Sequence, residues 1–119
     1  MSLEVKYIEN VSEPWISMIQ TGIKTVEGRL KRKNFSLMRV GDMVEWINSE
    51  YEMKRVKTII KEIREYRTFR EYLESEGLER CLPEIKDIES GIMVYYKYYT
   101  EEDERKYGIV ALRLERIFI

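Results

Sequence analysis

The residues most able to do chemistry stand close together within residues 22–29. Lys24 and Glu27 are three positions apart, and Arg29 follows Glu27 by two. If residues 25–29 form an extended strand, the side chains of Thr25, Glu27 and Arg29 point to one face. Cations beside a carboxylate favour its ionised form, and an ordered group of this kind can bind a polar ligand. The candidate ligand-binding residues are therefore Lys24, Thr25, Glu27 and Arg29; the simpler interpretation is a solvated strip of surface charge.

A basic segment continues from this group. Residues 24–39 contain six basic residues and one acidic residue, a local charge of +5, whereas the whole chain carries −1. A basic patch on an otherwise acidic chain favours a partner that carries phosphate groups. An ordinary charged loop is the alternative. The candidate phosphate contacts are Lys31, Arg32, Lys33 and Arg39.

Four tyrosines fall within residues 95–99, and a fifth is Tyr107. Tyrosine rings stack on nucleic-acid bases while their hydroxyl groups form hydrogen bonds. Helical spacing predicts that Tyr95 and Tyr99 belong to the core. Tyr96 and Tyr98 are the candidates for exposed stacking surfaces.

Composition excludes several kinds of chemistry. The chain has no histidine, so no imidazole can act as a base or a metal ligand, and its one cysteine, Cys81, can form neither an internal disulfide nor a zinc site. We expect Cys81 to be buried as a small apolar side chain, and we expect no metal and no cofactor. The abundance of lysine, arginine and glutamate is typical of heat-adapted proteins.

The same sequence indicates a cytoplasmic protein without membrane contact. It has no run of about 18 apolar residues, and its start lacks the basic and apolar segments of a signal peptide. Neither a linker nor an internal repeat is visible. We therefore predict one domain over residues 1–119.

Periodicity and turn signals predict the elements that position these residues. We expect strands at 3–8, 25–29, 43–47, 53–63 and 109–118, with a turn at 41–42. We expect a helix capped by Ser12 and ended by Gly22, helices at 68–76 and 87–98, a helical turn ending at Pro83 and an acidic turn at 101–106. Strands interrupted by short helices, with the first and last strands free to pair, predict an α+β fold. Its centre would be a closed or nearly closed β-barrel of about five to six strands with several short helices.

Residues 22–29 read GIKTVEGR and resemble the G-x-K-x-x-E-x-R signature of the ASCH (activating signal cointegrator homology) domain family. Pro14-Trp15 before the signature, Gly41-Asp42 before a strand, a helix around Phe69, a helix at 91–99 and the segment 99–111 agree in order, so the resemblance covers roughly residues 5–116. It is greatest for small stand-alone prokaryotic members of the family, and in particular for archaeal ones. The resemblance implies a PUA-like barrel with a cleft that meets RNA or a nucleotide-like ligand, lined by Lys24, Glu27 and Arg29.

Three functions stay open at this point. The first is an RNA- or nucleotide-binding module. The second follows from relatives that are amidohydrolases and remove acyl groups from modified cytidine, with a lysine at the signature position, a threonine three residues later and a more distant glutamate. Here Lys24 matches that lysine and would be the base or nucleophile, while Glu27 takes the place of the threonine and would move protons. The third is a protein-interaction module that docks a partner through the tyrosine-rich helix.

Overall fold

The computed structural model describes residues 4–50 and 54–118. Within these residues the strands are β1 (Val5–Asn10), β2 (Val26–Leu30), β3 (Met43–Ile47), β4 (Arg55–Tyr66) and β5 (Ile109–Ile117). The α-helices are α1 (Trp15–Thr21), α2 (Phe69–Glu76), α3 (Leu78–Cys81), α4 (Ile88–Tyr96) and α5 (Glu101–Tyr107), and a 3-10 turn spans Lys33–Ser36. The predicted strands at 3–8 and 53–63 are confirmed in position, although Leu3 and Met53 lie outside the described residues.

The five strands form one sheet in the order β1-β3-β4-β5-β2. β1 runs parallel to β3, and every other neighbouring pair is antiparallel. The ladder between β4 and β5 shifts register between Ile60 and Glu62. Such a bulge bends a strand and increases its twist, and the sheet curls into a half-barrel.

The α+β fold and the number of strands are confirmed, but the predicted pairing of the first and last strands is wrong. β5 has β4 on one side and β2 on the other, so neither edge of β5 is left for β1. β1 and β2 are the two edge strands of the described sheet. The half-barrel is therefore open between them.

Two groups of buried side chains pack against the sheet. The first lies under α1 and includes Ile16, Ile19 and Trp46, whose indole N–H donates to Thr58 Oγ1 at 2.9 Å. The second lies under α2 and α4 and is centred on Phe69 and Tyr95. Partly buried Trp15 touches both groups. The cysteine prediction is confirmed, because Cys81 is fully buried in the second group.

Local start and stop signals in the sequence agree with the observed helix ends at some helices and differ at others. α1 begins at Trp15 with Pro14 at its N-cap, whereas Ser12 contributes only its carbonyl, which accepts from the Ile16 N–H at 3.1 Å. Gly22 does end this helix, with a φ of 82° that favours glycine. The predicted acidic turn at 101–106 is the full helix α5, because Thr100 and Asp103 complete a capping box. The helix predicted at 87–98 is confirmed but shorter, with Asp87 as its N-cap.

Gly28, inside the signature, sets the distance between β2 and α2. A Cβ atom placed on Gly28 would stand 2.3 Å from the ring of Tyr72, which is fully buried. The Tyr72 hydroxyl is in turn within 2.8 Å of the Tyr95 hydroxyl. The ring therefore has no room to withdraw, and the close approach requires glycine.

We expect Gly28→Ala to lower the free energy of unfolding by about 1–3 kcal/mol, because the added methyl group overpacks a rigid ring. Urea unfolding followed by circular dichroism measures the change. Gly91→Ala is the matched control: its added Cβ would meet only leucine methyl groups, at 3.0 Å or more, and alanine suits a helix better than glycine. A Gly28→Ala protein as stable as the Gly91→Ala protein would contradict this account.

Candidate functional site

Three charged side chains of the signature form one ionic group. The Lys24 ammonium lies 3.2 Å from Glu27 Oε1, and the Arg29 guanidinium donates to Glu27 Oε2 through Nε at 2.9 Å and Nη2 at 2.8 Å. Glu27 and Arg29 are two apart on β2 and therefore share a face of the strand. The backbone of β2 is fixed by its ladder with β5, in which Glu27 is opposite Leu112 and Arg29 opposite Val110.

Lys24 lies beneath this group and is buried, with a side chain only 1% exposed. Its ammonium donates to the carbonyl oxygens of Val26, at 2.6 Å, and of Cys81, in addition to its contact with Glu27. An ammonium has three N–H groups, so these three acceptors satisfy it completely. Lys24 thereby ties the end of α3 to the start of β2.

Arg29 reaches away from Lys24, towards the opposite edge of the sheet. Its Nη2 also donates to the carbonyl oxygen of Asn10, the last residue of β1, at 2.7 Å. Its guanidinium lies 5.1 Å from the centre of the Phe35 ring and 5.4 Å from that of Trp46. Arg29 thus bridges the open side of the half-barrel, between β2 and β1, over an aromatic floor.

The surroundings hold Glu27 in its ionised form. Burial alone raises the pKa of this carboxyl, but the charges and hydrogen bonds of Lys24 and Arg29 outweigh burial and bring the pKa below its usual value. Burial by itself would lower the pKa of Arg29. The opposing effects, of which the negative charge of Glu27 is the largest, are together greater, so the pKa of Arg29 is raised. The group is therefore an ionised carboxylate between the side chains of Lys24 and Arg29.

A cleft of about 140 Å³ opens above Glu27, Gly28 and Arg29. A cavity of about 150 Å³ holds one six-membered ring, so the scale suits a single base. A carboxylate has about four acceptor positions, and the contacts above use one on Oε1 and two on Oε2. Glu27 Oε1 therefore keeps one position for a donor on a ligand.

The walls of the cleft are uncharged, and tyrosine and tryptophan rings form much of them. Tyr95 and Tyr99 both stack on Phe69, with ring centres 4.6 and 5.8 Å apart, and Trp15 lies on the side of α1. Burial raises the pKa of the Tyr95 and Tyr99 phenols, so both stay protonated. Tyr98 stands at the rim, 61% exposed, with its hydroxyl 3.2 Å from that of Ser12.

The structure brings only part of the predicted ligand set to the cleft. Glu27 and Arg29 line it. Lys24 supports Glu27 from below. Thr25 is partly buried, its N–H donates to the Arg80 carbonyl at 3.1 Å, and its own carbonyl accepts from Leu114 at 2.8 Å. Thr25 does not line the cleft.

The predicted phosphate contacts are divided in the same way. Arg32 and Lys33 line a second depression, of about 210 Å³, that shares Arg29 and Tyr99 with the cleft. Lys31 instead pairs with Glu65 at 2.8 Å. Arg39 is exposed at the turn before β3, where its N–H donates to Asp42.

The tyrosines of α4 and the residues after it also differ in their exposure. Tyr95 is buried as predicted, and Tyr98 is exposed as predicted. Tyr96 is half-buried; its ring meets Phe69 edge-on at 6.0 Å, and its hydroxyl donates to buried Glu104 at 2.6 Å. The face of α4 left for a ligand or a partner therefore offers Tyr98 rather than Tyr96.

Sequence reasoning missed the wall opposite the tyrosines, which Asn10, Val11, Ser12 and Trp15 supply. Only Trp15 carried a signal, as a large aromatic residue next to Pro14 in the signature's preceding helix. In the part of the chain that the structure describes, no cluster of three carboxylates or thiolates could hold a metal ion. None of the described helices is long and apolar enough to cross a membrane.

Comparison with known proteins identifies the class. The ASCH domain family matches residues 10–118, and the chain belongs to this family. A crystal structure of an archaeal hypothetical protein, PH0355, is 39% identical, covers 93% of this chain and 98% of its own, and has a TM-score of 0.85. The solution NMR structure of protein PF0455 from Pyrococcus furiosus is 37% identical, with coverages of 95% and 98% and a TM-score of 0.77.

A more distant structure agrees in fold. The ASCH protein from Zymomonas mobilis is 14% identical, and the match covers 92% of this chain and 67% of that protein, with a TM-score of 0.58. The chain therefore has the expected α+β, PUA-like fold. Among proteins of curated function, none matches it.

The buried ionic group predicts how stability depends on pH. Glu27→Gln leaves two buried cations without their counter-charge, and we expect it to cost about 3–5 kcal/mol of unfolding free energy at pH 7. Because the pKa of Glu27 is lowered on folding, its contribution is complete above the ordinary value of 4.5 and is lost as the pH falls through the folded pKa. The gap between wild type and Glu27→Gln should therefore be constant from pH 7 to about 5 and should close in stronger acid.

Urea unfolding at a series of pH values measures this gap. Glu65→Gln is the control, because it removes a carboxylate from an exposed ion pair and should cost less than about 1 kcal/mol. A gap that did not narrow at any pH below 4.5 at which wild type is still folded would show that the glutamine variant fails for a reason other than lost charge.

Proposed function

We propose that this chain binds RNA, with one base in the cleft above Glu27 and Arg29 and the attached phosphates against Arg32 and Lys33. The observation that carries the proposal is the junction of two depressions. The cleft and the second depression, which Arg32 and Lys33 line, share Arg29 and Tyr99. A base in the cleft therefore lies beside the cations of the second depression. Membership of the ASCH family supports nucleic-acid binding as the general function.

The cleft has the features that base recognition needs. Glu27 Oε1 can accept a hydrogen bond, and the Arg29 guanidinium beside it can donate one. A base whose edge carries a donor next to an acceptor would bond to both side chains. Exposed Tyr98 at the rim provides a ring for stacking. Burial keeps water away from the ionic group, which strengthens a hydrogen bond made to it.

Charge variants test the phosphate contacts. The double variant Arg32→Glu, Lys33→Glu should weaken binding of labelled RNA at least tenfold and should flatten the dependence of affinity on salt, because phosphate contacts release counterions. Fluorescence anisotropy with a structured RNA, a single-stranded RNA and a single-stranded DNA, each at about 50 and about 200 mM salt, measures both effects. Lys61→Glu is the matched control, since exposed Lys61 lies in the middle of β4 and lines neither depression.

One further variant asks whether a sequence-predicted contact away from the cleft takes part. Arg39→Glu makes the same charge change outside the two depressions, so we expect an effect near that of Lys61→Glu. Absence of RNA binding by the wild type at about 100 μM protein, or an affinity that Arg32→Glu, Lys33→Glu leaves intact, would overturn the proposal.

A stacking variant tests the cleft itself. Tyr98→Ala should weaken RNA binding about fivefold or more, because base–aromatic stacking contributes roughly 1–3 kcal/mol per base, whereas Tyr98→Phe should bind like wild type. Equal affinities for wild type and Tyr98→Ala would mean that no base stacks at the rim.

The contacts of Lys24 do not support the amidohydrolase alternative. A lysine nucleophile or general base needs a free lone pair, whereas the Lys24 ammonium donates to three acceptors below the cleft floor. We expect no acyl release from several N-acylated cytidines beyond the uncatalysed rate, measured by chromatography. Turnover that Lys24→Met abolishes and Glu27→Gln preserves would establish the hydrolase instead.

A further inference from the structure

The cationic surface does not end at Arg32. The Arg32 guanidinium lies between two tyrosine rings, 5.7 Å from the centre of Tyr99 and 5.4 Å from that of Tyr107. The Lys106 ammonium lies 5.2 Å from the centre of the same Tyr107 ring. A chain of contacts therefore runs from the wall of the cleft, through Arg32 and Tyr107, to Lys106 near the end of α5.

Lys106 and Tyr107 border another, wider depression. Its volume is about 750 Å³, and it lies between the end of β4 and the end of α5. Other residues along it include Arg67, Thr68 and Arg105. The surface is thus concave at both ends of the Arg32–Tyr107–Lys106 chain.

The carboxylates beside this depression are neutralised, whereas the cations along the chain are not. Glu65 is paired with Lys31 at 2.8 Å, and Glu71 with Arg67 at 3.3 Å. No described carboxylate lies within 4.0 Å of a charged nitrogen of Arg32, Arg105 or Lys106. Their charged nitrogens are therefore open to an anionic ligand, with Glu101 and Glu102 one helical turn before Arg105 and Lys106 on α5.

We propose that these features form one track for single-stranded RNA, in which the cleft holds one base and Arg32, Lys106 and Arg105 hold the phosphates of the following nucleotides. The inference rests on the proposed function. It adds that the RNA ligand is single-stranded and several nucleotides long. A ligand with a single phosphate contacts Arg32 and does not reach Lys106. Lys106 therefore contributes only to the binding of a ligand that carries two or more phosphates. The base in the cleft must be unstacked, which a single strand allows at little cost and a duplex resists.

The tyrosine rings make the cations suitable for this role. A lysine or arginine side chain normally loses rotamer entropy when it binds a phosphate. Arg32 and Lys106 already rest on Tyr107, so part of that entropy is lost before the ligand arrives. Tyr107 is itself half-buried and fixed in the second core group.

Ligand length is the variable to test. Unlabelled random-sequence di-, tetra- and octanucleotides compete against a fluorescein-labelled random octanucleotide RNA, with fluorescence anisotropy as the readout. We expect affinity per molecule to rise at least tenfold from the dinucleotide to the octanucleotide. A hairpin whose octanucleotide strand is fully paired should compete poorly.

Lys106→Gln should weaken the octanucleotide about fivefold and lower the slope of log affinity against log salt by about 0.7, the value of one phosphate contact on a single strand. It should leave the dinucleotide unchanged, which also shows that the fold is intact. Lys61→Gln is the matched control, and Lys106→Arg should restore wild-type binding.

The outcomes separate the two proposals. Octanucleotide binding that Lys106→Gln does not alter, or equal affinity for di- and octanucleotides, overturns the track and leaves the cleft as a short site. A paired hairpin that binds as tightly as the single strand overturns the choice of ligand. No binding of any RNA overturns both the track and the proposed function.

Discussion

The ionic group of Glu27, Lys24 and Arg29 is the interaction on which the rest of the site depends. A carboxylate that is 5% exposed is stable in its charged form only when its charge is compensated, and here one cation lies on each side. Lys24 compensates from the interior and simultaneously holds the Cys81 carbonyl at the end of α3. Arg29 compensates from the surface and simultaneously holds the Asn10 carbonyl at the end of β1. The carboxylate is thus the point at which α3, β1 and β2 are joined.

This arrangement explains why the sheet stays open where it does. β1 and β2 are the two edges of the half-barrel, and a side chain, rather than a backbone ladder, spans the gap between them. A closed barrel would have paired the N–H and carbonyl groups of both edges and removed the space above Glu27 and Gly28. The open seam leaves a cleft whose floor is polar and whose walls include the rings of Trp15, Tyr95 and Tyr99.

The features that could be predicted from the sequence are those determined by residues close together along the chain. The signature was visible because its charges lie within six residues, and the stop at Gly22 and the cap at Thr68 follow from local backbone chemistry. The depth of Lys24 was not visible, since its burial depends on a carbonyl 57 positions away. The predicted pairing of the first and last strands is wrong for a related reason: strand order depends on which edges compete for β5, and strand patterns do not contain that information.

The charged residues show most clearly that neighbours along the sequence are not always neighbours in the fold. A window of contiguous residues grouped Lys31 and Arg39 with Arg32, although in the fold Glu65 pairs with Lys31, and Arg39 lines neither the cleft nor the depression beside it. The same window omitted Lys106, which is 74 positions from Arg32, although both side chains lie against the ring of Tyr107. Because Coulomb forces act over distance in space and are offset by nearby opposite charge, the useful count is of unpaired cations that lie together in the fold. The surface that we propose for RNA phosphates therefore runs from Arg32 through Tyr107 to Lys106, away from the cleft, and does not follow the basic segment of the sequence.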